Sequence, residues 1–215
     1  LLHTVSQGRL PDGKELLTEE AITKLKRGMH AWRSPKQPPI VTHDLWDDAT
    51  DPVLNQLRAC QLFNSKSDPV KVVFHPDFAS ATSPLLGLDY DQFVRGCHMG
   101  IFPSYYEPWG YTPMECIALG LPAVTSDLSG FGAYVRRRID DSSANGILVL
   151  ERSTKSFDAA ADELADYLFQ FAQLTRRQRV ELRNRVERLS DRFDWSKLAR
   201  HYHEAHDLAL ERMSV

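Results

Sequence analysis

Between Ile40 and Leu150, short apolar runs rich in β-branched residues alternate with segments of helical periodicity, which predicts an α/β fold built on a parallel sheet wound on both faces. Five runs read as strands: Ile40-Val-Thr-His43, Val70-Lys-Val-Val-Phe74, Met99-Gly-Ile-Phe-Pro103, Pro122-Ala-Val-Thr125 and Gly146-Ile-Leu-Val-Leu150. The best helices between them are 51–63, 90–97, 113–119 and 130–138. After Glu151 the pattern is helical throughout, with 156–174, 175–189 and 194–213 as three helices joined by short breaks.

Ahead of the first strand, Thr18 offers a cap to a segment of helical spacing that runs to about residue 33. Ser34-Pro-Lys-Gln-Pro-Pro39 ends it, because proline lacks the N–H for the helical ladder and forces its predecessor out of the helical region. The expected organisation is therefore a helical segment over 1–36, a sheet-bearing lobe over 37–152 and C-terminal helices over 153–215.

The 215 residues are 42% hydrophobic and 26% charged, the make-up of an ordinary globular domain with a sizeable core. The first residue is Leu1 rather than methionine, so the sequence reads as a piece of a longer polypeptide. No apolar run approaches the roughly 18–20 residues that span a bilayer, and no signal peptide opens the chain, which points to a soluble intracellular setting without membrane partners. Cys60, Cys97 and Cys116 are odd in number and lack zinc-ligand spacing, so reduced thiols are expected and no metal site. A net charge of −3 argues against nucleic acid as the main partner.

The chemistry is concentrated in Phe102-Pro-Ser-Tyr-Tyr-Glu-Pro-Trp-Gly-Tyr-Thr-Pro-Met-Glu-Cys-Ile-Ala-Leu-Gly120, where a strand runs through a turn into a helix. Thr112 reads as the N-cap, Pro113 as the first helical residue and Gly120 as the left-handed residue that closes the far end. Gly110 lets a ligand approach the backbone, and the amides of Tyr111, Thr112, Met114 and Glu115 would attract a diphosphate. Glu107 and Glu115 frame this anion site. Residue types leave an alternative open: Thr112-Pro-Met-Glu115 also fits a capping box without chemistry, and Glu107 before proline fits a solvated turn. On their own, Tyr90 and Phe78 read as core packing at a helix start and a strand end.

A second cluster, Arg176-Arg-Gln-Arg-Val-Glu-Leu-Arg-Asn-Arg-Val-Glu-Arg188, places six arginines in thirteen residues. At 3.6 residues per turn Arg176, Arg179 and Arg183 share one face, while Arg177, Arg185 and Arg188 gather on another. Leu182, Val186, Leu189 and Phe193 make an apolar stripe beside the first face, so Arg179 and Arg183 should flank the core and grip a phosphate. The alternative is a solvated face partly neutralised by Glu181 and Glu187.

Glu107-Pro-Trp-Gly-Tyr-Thr-Pro-Met-Glu115, with Phe93-Val-Arg-Gly-Cys-His98 and Phe102-Pro-Ser-Tyr-Tyr106 before it, resembles the donor-site signature of animal and fungal glycogen synthases. The likeness runs from about Pro38 to Leu210 and takes in Phe74-His-Pro-Asp-Phe78, Ser83-Pro-Leu-Leu86 and Leu128-Ser-Gly-Phe-Gly132. It implies the Rossmann-like C-terminal domain of a GT-B glycosyltransferase, followed by C-terminal helices. It further implies retaining transfer of glucose from UDP-glucose to glycogen.

By that resemblance Glu107 faces the transferred glucose, Glu115 holds ribose hydroxyls, Gly110, Tyr111 and Thr112 meet the phosphates, and Tyr90 with Phe78 forms the uracil pocket. Arg179, Arg183 and His98 would bind the activator glucose 6-phosphate, although His98 on its own reads as a packed histidine. Arg176, Arg177, Arg185 and Arg188 would meet neighbouring subunits or phosphorylated tails, and the 18–33 helix would pack between subunits. No cofactor is implied. The implied partners are glycogen and glycogenin, in a cytoplasmic homotetramer. Family members supply a catalytic arginine and lysine, and most of the acceptor site, from sequence upstream of residue 1, so this chain alone is expected to be inactive. A competing class is a non-catalytic anion- or sugar-binding regulatory module.

Overall fold

A computed structural model describes residues 39–83 and 85–213, together with the isolated positions Glu19, Ile22, Thr23 and Lys26. Those four are helical, and the remainder of the helix expected over 18–33 lies outside the described residues, as does Pro84 within Ser83–Leu86. The chain divides into two compact units, Leu1–Phe78 and Ala79–Val215.

In the first unit, helix α1 (Pro52–Ala59) starts where the Asp51 carboxylate accepts from the Leu54 amide at 2.8 Å, with proline at its first position. The two strand-like runs nearby do not become sheet strands, contrary to expectation. They meet in one parallel bridge, Val41 to Phe74, with Phe74 N donating to Ile40 O and Thr42 N to Phe74 O. The ladder stops there because Pro76 lacks the N–H that would reach Thr42 O, while the Asn64 side chain takes both Val72 N and Val72 O on the other side.

The second unit carries the sheet. Helix α2 (Tyr90–Gly96) leads into β1 (Gly100–Ile101), then α3 (Tyr111–Ala118), β2 (Ala123–Ser126), α4 (Gly130–Arg138), β3 (Ile147–Leu150), α5 (Phe157–Gln173), α6 (Arg176–Ser190), a 3-10 turn at Asp191–Phe193 and α7 (Trp195–Met213). The strands are parallel in the order β1-β2-β3, in register Gly100 with Ala123 and Ala123 with Ile147. Among the described residues no helix is long and apolar enough to cross a membrane.

All four β2 residues are buried, which is what a parallel strand covered on both faces requires. Successive side chains point to opposite faces. Ala123 and Ile147 join one core with Ile117, Phe131, Val135, Val186 and Phe193, whereas Val124, Leu148 and Leu150 pack on the other face with Ala160 of α5. At roughly 1.5–3 kcal/mol for each fully buried large aliphatic or aromatic side chain, these two layers dominate the stability of the unit.

Candidate functional site

The turn after β1 becomes a helix at Gly110, with φ 111° and ψ 73°, a conformation open to glycine at little cost. Gly110 is therefore the N-cap, and the helix begins at Tyr111, two residues before the expected Pro113. Thr112 sits inside the first turn instead of capping it, because the left-handed glycine turns the chain into the helix earlier. The capping box is not formed: the cap makes no side-chain hydrogen bond, and Glu115 is an exposed residue of the second turn. At the other end Gly120 has φ +72° and closes the helix as expected, donating from its amide to Ile117 O at 2.9 Å.

No described protein group accepts a hydrogen bond from the N–H of Tyr111 or Thr112, and both residues are exposed. This terminus therefore has free amides of the kind that can meet an anion. Its stem is fixed from the side: Gly130 N donates to Glu107 O at 3.0 Å and Phe131 N to Trp109 O at 2.7 Å. The half-buried Glu107 side chain folds over the cap, its Cγ 3.5 Å from where a β-carbon on Gly110 would stand.

Tyr90 and Glu115 are brought together, close enough for the Glu115 carboxylate to act on the Tyr90 phenol. Burial, above all, and the neighbouring Cys116 and Glu115 groups push the Tyr90 phenol up to about 12. Cys116 beneath it is pushed up to about 11, chiefly by burial, and remains an inert thiol. Tyr90 is 42% and Phe78 89% exposed, so neither is a core residue. Phe78 ends the first compact unit. On the far side of the turn a cavity of about 700 Å³ is lined by Trp109, Tyr111, Tyr134, Arg137, Trp195 and Tyr202, a feature not expected from the sequence.

The arginine helix α6 is seated by two glycines. Gly120 would place a β-carbon 3.8 Å from Glu187, and Gly146, at φ +88°, would drive one to 2.4 Å from the Val186 side chain. Leu182, Val186 and Phe193 are buried, and Leu189 is half-buried. Arg179 and Arg183 are half-buried beside this stripe, and Arg176, Arg177, Arg185 and Arg188 are exposed. Glu181 pairs with Arg177 at 2.9 Å. Arg185 and Arg188 line a cleft of about 310 Å³ with Asp140, Asn145 and Arg192, the last of these unremarked in the sequence. His98 is exposed, which removes the reading of it as a packed core histidine.

A further cluster lies beyond the carboxyl ends of the strands, where open parallel sheets bind ligands. The Asp127 carboxylate, 5% exposed, accepts from Arg152 N at 2.8 Å, Ser153 N at 3.2 Å and Ser153 Oγ at 2.5 Å, and pairs with Arg136 at 3.2 Å. Burial alone would raise its pKa, but the Ser153 and Arg152 hydrogen bonds and the Arg136 charge outweigh that and hold it below the usual carboxylate value. Lone charged residues after strands carry no periodic signal, and only the folded positions show that Asp127 and Arg152 meet.

Against this geometry, the family model described as glycogen synthase matches residues 1–214. The chain belongs to the glycogen synthase family. It is 51% identical over 203 residues to the glycogen [starch] synthase of Neurospora crassa, covering 94% of this chain and 29% of that protein. Isoform 1 of Saccharomyces cerevisiae is 50% identical over 215 residues, with 98% of this chain and 30% of the relative covered. The human liver enzyme is 46% identical over 212 residues, with 99% and 30% covered. The chain thus spans about 30% of the length of the curated relatives it matches. The open parallel sheet with helices on both faces is the fold class expected of a glycogen synthase lobe.

Proposed function

We propose that this chain is the donor-binding lobe of a glycogen synthase, an enzyme that transfers glucose from UDP-glucose to the non-reducing end of glycogen, forming α-1,4 links with retention. The observation that carries the reading is the open N-terminus of α3, with Glu107 folded over its cap glycine and Glu115 one turn further on. Breaking the sugar–phosphate bond makes the diphosphate more negative while the glucosyl carbon becomes cationic. The Tyr111 and Thr112 amides, already fixed in direction, receive the growing negative charge without reorganising. Glu107 faces the sugar and orients it or stabilises the positive charge at the anomeric carbon.

Glu115 binds the ribose hydroxyls. The Tyr90 ring beside it receives the uracil. Arg179 and Arg183, held half-buried by the Leu182–Val186 stripe, bind the phosphate of glucose 6-phosphate, with His98 at the same activator site. The exposed Arg176, Arg177, Arg185 and Arg188 serve subunit contacts or phosphorylated tails. The complete enzyme is a cytoplasmic homotetramer acting on glycogen with glycogenin as partner, and nucleic acid and membranes play no part.

Calorimetry of this chain with UDP and with ADP tests the donor assignment. UDP is expected to bind in preference to ADP, with the preference lost on Tyr90→Ala. Equal binding of both nucleotides, or of neither, would refute the assignment and favour a regulatory module.

A further inference from the structure

All three strands deliver a residue to one edge of the sheet. After β1 comes Pro103–Tyr106, after β2 Asp127, and after β3 Arg152. Asp127 captures the main chain of residue 152 and takes Arg136 as its ion partner, leaving the Arg152 guanidinium without a carboxylate among the described residues. That guanidinium lies over the Tyr105 ring, its Cζ 3.5 Å from the centroid, and donates through Nη1 to the Pro103 carbonyl. A flat guanidinium can stack on a ring and donate in its own plane at once, which an ammonium cannot do.

The neighbouring residues are tied down as well. Ser126 Oγ donates to Ser104 O at 2.5 Å, and Gly130 N donates to Glu107 O at 3.0 Å. Residues 103, 104, 105 and 107 are thus each held by another segment, and Tyr106 is left 80% exposed. Of these ties, Arg152 grips two residues with one side chain.

We propose that Arg152 is the positioning residue of the Glu107 turn: it clamps Pro103 and Tyr105 to the end of β3 and so holds the Glu107 carboxylate against the sugar being transferred. This inference rests on the donor-site reading above. It separates Arg152 from the phosphate-binding groups, because the entry to α3 is held by the bond from Phe131 N to Trp109 O.

The test is steady-state kinetics of the complete enzyme carrying Arg152→Ala, Arg152→Lys, Tyr105→Leu, Glu107→Gln or the Glu107→Gln/Arg152→Ala pair, with UDP affinity measured on each. A displacement of about 1 Å in a reacting group can cost on the order of 100-fold in rate. Arg152→Ala is expected to lower kcat roughly 10- to 100-fold while UDP affinity changes less than about 3-fold. Arg152→Lys should not restore the rate, Tyr105→Leu should lower it in the same direction, and the double variant should be no slower than Glu107→Gln alone. Rescue by lysine, additive losses in the double variant, an unchanged kcat in Arg152→Ala, or a loss confined to UDP affinity would each overturn the assignment. Failure of the unaltered enzyme to bind UDP would instead overturn the donor-site reading. If Arg152→Ala does not fold, Tyr105→Leu and Arg152→Lys decide the question alone.

Discussion

Gly130→Ala is the substitution that should separate the site from the fold most sharply. A β-carbon on Gly130 would stand 2.2 Å from the Pro108 carbonyl oxygen, 3.1 Å from its carbon and 3.2 Å from Trp109 Cα. All three are backbone atoms, so no side chain can swing aside. Relief requires the Glu107–Gly110 turn to lift from α4, breaking the bonds from Gly130 N to Glu107 O and from Phe131 N to Trp109 O. Each bond contributes about 1 kcal/mol net, and overpacking adds about 1–3 kcal/mol, giving a loss of roughly 3–5 kcal/mol. At about 4 °C per kcal/mol for a domain of this size, the melting temperature should fall roughly 12–20 °C. UDP affinity should fall with it, since the lifted turn ends in Gly110. The assay is thermal unfolding by circular dichroism together with UDP calorimetry below the variant's melting temperature. Gly96→Ala is the control: its β-carbon meets nothing within 4 Å, and it should be neutral or stabilise by about 0.4–1 kcal/mol. A Gly130→Ala chain with an unmoved melting temperature and unchanged UDP affinity would refute the contact argument.

Further expectations concern protons and charge. Because Asp127 is held below the usual carboxylate value, its contribution is complete above about pH 4 and is lost as pH falls through its folded pKa. Urea midpoints between pH 2 and 6 should therefore drop on the acid side, and Asp127→Asn should flatten that drop. Tyr90, pushed up to about 12, should ionise later than an ordinary tyrosine with its pKa near 10, and stability gained from its protonated form should persist to about pH 10 and disappear between 10 and 12. Ultraviolet titration should show late phenols from Tyr90 and from Tyr167, which burial also raises, and Tyr90→Phe should remove one of them while Glu115→Gln shifts it downward. Replacing Arg179 and Arg183 together with alanine in the complete enzyme should abolish activation by glucose 6-phosphate while sparing activity of the unphosphorylated form, and retained activation would reject their assignment.

The helices were legible in the sequence because their signals are local: Asp51, Ser129, Ser156 and Thr175 each accept from an amide three residues on. The apolar stripe of α6 was legible for the same reason, its spacing being a property of one helix. The start of α3 was misread by two residues because threonine followed by proline is a strong capping signal, whereas a left-handed glycine can turn the chain anywhere. The two strands expected near Ile40 and Val70 have the right composition. What they lack is free ladder groups, because Pro76 has no N–H and Asn64 takes both main-chain groups of Val72, and a ladder is a property of pairs. Asp127, Arg152 and Tyr105 were invisible for a stronger reason: they lie up to 47 positions apart and meet only because three parallel strands end at one edge.

The same edge holds two helix N-termini, those of α3 and α4, and both starts lie at a glycine, Gly110 or Gly130. By helix dipole alone either would draw an anion. Hydrogen bonding decides between them. Gly130 and Phe131 donate to the carbonyls of Glu107 and Trp109, and Gly132 donates to Ser129 Oγ at 2.9 Å, so the first turn of α4 has no amide left to offer. The carbonyls that close it belong to the residues immediately before Gly110. With those oxygens directed at α4, the chain enters α3 by the left-handed step at Gly110, and beyond it the Tyr111 and Thr112 amides have no acceptor among the described residues. Closing one terminus therefore builds the other. An anion at α4 would have to displace two backbone bonds of about 1 kcal/mol each, whereas at α3 it would displace only water, so of the two termini the one that Glu107 and Glu115 flank would be favoured.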